Sequence, residues 1–135
     1  MTSPSASWCS DEFLKAIPKT DLHVHLDGSL RLSTLIELAQ AGGVSMPSYD
    51  EAELRRTVFR DSYKDLPEYL QGFQYTVAVM RTAANLERVS YEFAEDNYNE
   101  GVRYFEVRVY VCLSLSLSFS IGASLSVSLY LCHHY

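Results

Sequence analysis

Asp21-Leu22-His23-Val24-His25-Leu26-Asp27-Gly28 is an alternating run that closes on a turn residue. Read as a β-strand, residues two apart share a face. His23 and His25 then project side by side, with Asp21 and Asp27 on the same side. Leu22, Val24 and Leu26 line the opposite face and pack against whatever covers the strand. Two neighbouring neutral imidazoles beside a carboxylate are the donors that a divalent transition metal, zinc above all, takes from a protein. A catalytic zinc usually has three protein ligands and one open position, and this run supplies two. The other histidines of the chain are His133 and His134. The plain structural alternative is a satisfied or solvent-facing histidine pair, since short motifs match by chance.

Three collinear segments narrow the choice. The run from Ile17 to Leu30 resembles the first-strand signature of the adenosine deaminase family, within the amidohydrolase superfamily. Leu66-Pro67-Glu68-Tyr69-Leu70-Gln71-Gly72-Phe73 resembles the helix that closes over the purine in those enzymes. Glu100-Gly101-Val102-Arg103-Tyr104-Phe105-Glu106-Val107-Arg108 resembles their second strand. The likeness covers roughly residues 10 to 108.

The resemblance implies a (β/α)8 barrel that binds one Zn2+ and hydrolyses the exocyclic amine of adenosine to give inosine and ammonia. His23 and His25 match the first two zinc ligands. Asp27 matches the residue that hydrogen-bonds the ribose 5′-hydroxyl, with Gly28 beside it. Leu66, Tyr69, Leu70 and Phe73 match apolar residues that close over the substrate. Zinc brings the deprotonation of water toward neutral pH, so hydroxide can attack carbon 6 of the purine, and an apolar lid excludes bulk water. Relatives acting on free adenine tend to carry Glu at the position of Asp27, and those acting on methylated adenylate carry Asn. The expected substrate is therefore adenosine or deoxyadenosine. For Asp27 the structural alternative is an Asx-turn completed by Gly28, and for the Leu66–Phe73 stripe it is ordinary core. Deaminases of the cytidine type use His-x-Glu and Pro-Cys-x-x-Cys. That pattern is absent, and Cys9, Cys112 and Cys132 are isolated from one another.

The expected fold class is α/β: the N-terminal part of a (β/α)8 barrel, with the first two parallel strands and the helices between them. A whole barrel needs about 250 residues and the chain has 135. The remaining zinc histidine, the acid/base Glu and the paired aspartates of the family have no matching positions. Residues 1–108 are read as the N-terminal portion of the barrel domain, and 109–135 as an aberrant Ser/Leu-rich tail. That tail carries no charge and alternates Ser with apolar residues. It reads as strand-like, as an aggregation hazard, or as the translation of a CT-dinucleotide repeat in a mis-spliced product. A membrane span is disfavoured by its serines despite sufficient length. The isolated polypeptide is expected to be inactive and poorly folded. The alternative to an enzyme is a non-catalytic remnant, either a weak metal binder or a membrane-tethered fragment.

Composition bounds the partners. The formal net charge is −6, from 17 acidic and 11 basic residues, with no basic cluster. That argues against nucleic acid or an anionic membrane. Met1 to Ser10 lacks the pattern of a secretory signal. Three unspaced cysteines suit free thiols in a reducing compartment, so a cytoplasmic location is expected.

Along the chain, Ser10 caps a short helix that ends before Pro18, and the first strand runs from about Thr20 to Leu26. Ser33 caps a helix through Gln40 whose buried stripe is Leu32, Leu35, Ile36 and Ala39, stopped by Gly42-Gly43. Asp50 opens a charged helix to about Val58, whose Arg55 and Arg56, with Arg60 beyond it, form a solvated face. Asp65 and Glu68 form a capping-box pattern opening a helix to about Arg81. Asn85 caps a further helix with Leu86, Val89, Tyr91 and Phe93 among its apolar residues. The second strand follows Gly101, with Glu106 and Arg108 on one face.

Overall fold

The structure is a computed structural model that describes residues 10–110 and the backbone of 126–130. Helix α1 (Asp11–Ala16) leads into strand β1 (Lys19–His25) and a 3-10 turn, Leu26–Gly28. Five helices follow: α2 (Leu32–Gly42), α3 (Glu51–Thr57), α4 (Leu66–Leu70), α5 (Phe73–Val79) and α6 (Ala83–Asn99). They lead to β2 (Val102–Tyr110), and β3 (Ser126–Tyr130) completes a three-stranded sheet of order β1-β2-β3. Both pairings are parallel, so the long helical crossover from β1 to β2 is the connection that parallel neighbours require. This α/β arrangement is that of the N-terminal part of a (β/α)8 barrel. Residues 126–130 of the alternating tail do form a strand. Nearly all the other calls on 109–135, and His133 and His134, lie outside the described residues.

Strand β2 shows how the sheet divides its faces. Phe105, Val107 and Val109 are buried, whereas Tyr104, Glu106 and Arg108 alternate with them on the other side. The buried face packs on α6, where Phe93 meets Phe105 edge-on with centroids 4.9 Å apart. Leu26, Leu35, Leu54, Leu86 and Val89 complete one core.

Strand β1 departs from simple alternation. Its register with β2 passes from Asp21↔Phe105 to Val24↔Val107, three steps on one strand against two on the other. This bulge removes Leu22 from the buried face, leaving it 59% exposed, which corrects the expectation that it packs with Val24 and Leu26. It also separates Asp21, in register with Phe105, from the histidine pair.

Several helix starts are shifted by side-chain contacts that local pattern does not reveal. Helix α2 begins at Leu32 with Arg31, not Ser33, at the cap position. The Arg31 guanidinium is clamped by Asp96 and Glu95 of α6 at 2.6 and 2.7 Å, which fixes where the chain enters the helix. Helix α6 starts one turn earlier than expected, because Thr82, not Asn85, is its cap. The Thr82 hydroxyl accepts from the Asn85 amide, and the Asn85 side chain donates to Val79 O. Tyr91, among the apolar residues of α6, is exposed, and Ile36, expected in the buried stripe of α2, is only partly buried. Arg60, expected on the face of α3, instead reaches Glu68 of α4 at 2.7 Å.

The helix expected over 66–81 is two helices. Between them, Gln71 and Gly72 donate to the carbonyls three residues back, Glu68 and Tyr69, in the tighter 3-10 pattern. The Phe59 ring lies where a Gly72 Cβ would stand, 3.1 Å away, so the break lets an aromatic ring press against the backbone.

Gly101, between α6 and β2, has φ +84, and a Cβ there would lie 2.9 Å from Lys15 O. Lys19 ties the same corner, donating from Nζ to Glu100 O and Ile17 O. Gly101→Ala is expected to cost about 1–3 kcal/mol from left-handed strain and contact. A lowered urea midpoint at unchanged m-value checks this.

Candidate functional site

The bulge before Val24 sets the end of β1 so that His23 and His25 share the sheet's polar face. Their ring centroids are 5.3 Å apart, and the two Nε2 atoms are 3.3 Å apart. Two nitrogens each about 2.0–2.1 Å from one tetrahedral ion stand roughly 3.3–3.4 Å from each other. The pair therefore has the spacing of two ligands of a single zinc-sized cation, and the donor set fits such an ion chemically. No group of three or more His, Cys, Asp or Glu able to hold a metal occurs among the described residues. On the same face, Arg108 of β2 donates from Nη1 to His23 Nε2. Glu106 accepts from the Tyr104 hydroxyl at 2.7 Å.

The 3-10 turn carries the next residue of the site. Its geometry follows from Ser29, whose hydroxyl donates to His25 O and whose amide donates to Leu26 O. Asp27 is thereby drawn inward to 8% exposure. Its Oδ1 stands 3.9 Å from His25 Nδ1, too far for a hydrogen bond, and has no hydrogen-bond partner. A buried polar atom left unpaired costs about 1–3 kcal/mol, so this oxygen is held at the expense of stability.

Asp27, Gly28, Tyr69 and Phe73 line a 230 Å3 cavity, with Gly28 packed close to the Phe73 ring. Leu30, Phe59, Tyr63 and Arg55 add to the lining. Tyr63, Tyr69 and Phe73 make a chain of edge-on contacts at 5.2 and 5.5 Å, a favoured arrangement of aromatic quadrupoles. The Tyr63 hydroxyl is occupied: it accepts from the Arg60 amide and donates to Val58 O. Arg55 is paired with Glu51 at 2.8 Å. The Asp27 carboxylate thus keeps acceptor capacity beside the cavity.

Four of the residues singled out from the sequence, Asp27, Gly28, Tyr69 and Phe73, meet in this cavity. Leu66 and Leu70 do not line it and are exposed, on the outer side of the short helix. His23 and His25 lie beyond its lining, joined to it through Asp27. Phe59 and Tyr63 were missed because they sit between helices, where no periodicity marks them. Their aromatic character four residues apart is the signal that was available.

Helix α4 is fixed by its own charges. Asp65 Oδ1 accepts the Glu68 amide at 2.9 Å, as a capping box requires, but Glu68 reaches back to the Lys64 amide instead of that of Asp65. That amide, with the Arg60 guanidinium, holds the Glu68 carboxyl below the usual carboxylate range. The aromatic wall is consequently anchored at both ends of the Arg60–Glu68 segment.

Comparison with known proteins agrees in one direction. A family model described as adenosine deaminase matches residues 18–127. An adenosine deaminase from Shewanella woodyi is 44% identical over 95 residues, covering 70% of this chain and 29% of its own length. Among solved structures, an adenine deaminase from Arthrobacter aurescens superposes with a TM-score of 0.62 at 28% identity, over 70% of this chain and 28% of that one. An N6-methyl-AMP deaminase from Arabidopsis thaliana gives 0.57 at 31% identity, over 73% and 28%. The chain spans less than a third of the length of each of these three proteins.

Proposed function

The chain belongs to the adenosine deaminase family, and from that footing we propose that it supplies part of the metal- and substrate-binding site of a zinc-dependent deaminase acting on adenosine. His23 and His25 are two of the metal's ligands in this reading. The observation that carries it is the 3.3 Å separation of their Nε2 atoms. A zinc ion held there would supply Lewis acidity and bring water's deprotonation toward neutral pH.

The chain's own residues do the rest. Tyr69 and Phe73 offer ring faces and edges to a purine and keep water from it. Asp27, at the lining of the cavity, offers its carboxylate to a ribose hydroxyl. The named relatives act on adenosine, on adenine and on N6-methyl-AMP, so the substrate must be argued from the site. A buried carboxylate with spare acceptor capacity favours a hydroxyl donor and disfavours a phosphate, because like charges repel at close range. That selects the nucleoside.

Titration with adenosine, adenine and AMP, followed by amide NMR shifts, tests this reading. Adenosine is expected to move the signals of Asp27, Tyr69 and Phe73 and to bind more tightly than AMP. Asp27→Ala should weaken adenosine binding about tenfold or more, the worth of one charge-assisted hydrogen bond, and leave adenine binding nearly unchanged. AMP binding more tightly than adenosine, or indifference to Asp27→Ala, would contradict it. Among the described residues no helix is long and apolar enough to cross a membrane.

A further inference from the structure

The contact between Arg108 and His23 fixes more than the position of two side chains. A guanidinium has donors and no acceptor, so His23 Nε2 must be the acceptor in that hydrogen bond. The neutral His23 ring then carries its proton on Nδ1. An imidazole nitrogen has a single in-plane lone pair, and a metal ligated through Nε2 would need that same lone pair. The Nε2 of His25 lies 3.3 Å from the same atom, within hydrogen-bond reach of it. The guanidinium and the point shared by the two imidazoles therefore converge on one acceptor.

We propose that Arg108 competes with a divalent cation for His23: its guanidinium occupies the Nε2 lone pair, holds the ring in the Nδ1–H form, and must give up that lone pair before a metal can be ligated there. The inference rests on the reading of His23 and His25 as metal ligands. Two effects oppose each other. Pre-orientation of the ring favours loading, while competition for the lone pair and repulsion between guanidinium and cation disfavour it. A charge-assisted hydrogen bond is worth more than a tautomer preference, so competition wins and Arg108 lowers metal affinity.

The test is the zinc affinity of the 135-residue chain, measured by competition with a chromophoric chelator. Arg108→Met is expected to bind zinc about tenfold more tightly than the parent, and His23→Ala to lose binding in either background. A second measurement needs no variant. Nitrogen-detected NMR should show coupling across the Arg108–His23 hydrogen bond in the zinc-free chain, lost on adding one equivalent of zinc. Affinity in Arg108→Met equal to or below the parent's, or coupling that persists in the zinc-loaded chain, overturns the role of Arg108 and leaves the histidine ligands standing. Zinc binding that ignores His23→Ala removes the ligand reading and this inference together.

Discussion

Replacing both His23 and His25 by alanine is expected to reduce the zinc affinity of the chain by more than about 100-fold, beyond the range typical for loss of an outer-shell partner. The reason is geometric. The two Nε2 atoms converge to 3.3 Å, so one ion can be gripped by both imidazoles at once. Once either ring is gone, the other is a single donor on an exposed strand, and the chelate advantage disappears. Each single replacement should therefore cost nearly as much as the double, a strong departure from additivity. Calorimetric titration of the parent, both single variants and the double variant checks this. Losses that simply add would mean that the histidines do not act on one ion.

Leu35→Ala is expected to be the most damaging of the simple core truncations, at about 2–5 kcal/mol. Leu35 is fully buried on α2, the helix that packs against α5 and so supports Phe73 in the cavity wall. Against a total stability of about 5–15 kcal/mol for an ordinary domain, that loss is severe. Leu22→Ala, on the exposed side of the β1 bulge, should change stability by less than about 0.5 kcal/mol. Alternation alone would have made Leu22 as important as Val24. Urea unfolding of both variants separates the two residues, and equal costs would contradict the bulged register.

The contrast shows which parts of this molecule could be read from its residues. Strands and helices were legible where local chemistry is unambiguous: the Ser10, Asp50 and Asp65 caps, the Gly43 stop with φ +64, and the alternation of β2. The site was legible where spacing dictates direction, as for His23 and His25. Features were lost wherever a distant contact overrode local preference. Arg31 starts α2 because Asp96, sixty-five residues on, clamps it. The helix over 66–81 breaks at Gly72, where the Phe59 ring, thirteen residues earlier, packs against the backbone. The β1 bulge depends on pairing with β2, which no local pattern on β1 encodes. Glu106 and Arg108 read from the alternation of β2 onto one face, whereas the contact of Arg108 with His23 crosses the strands and is encoded in neither one alone.

X-ray absorption at the zinc edge, on the chain loaded with one equivalent of zinc, interrogates the paired imidazoles directly. Two nitrogen ligands with imidazole scattering at about 2.0–2.1 Å, absent from the His23→Ala/His25→Ala chain, are the predicted result. A shell made of sulfur or of oxygen alone, or one that survives in the double variant, would contradict the account.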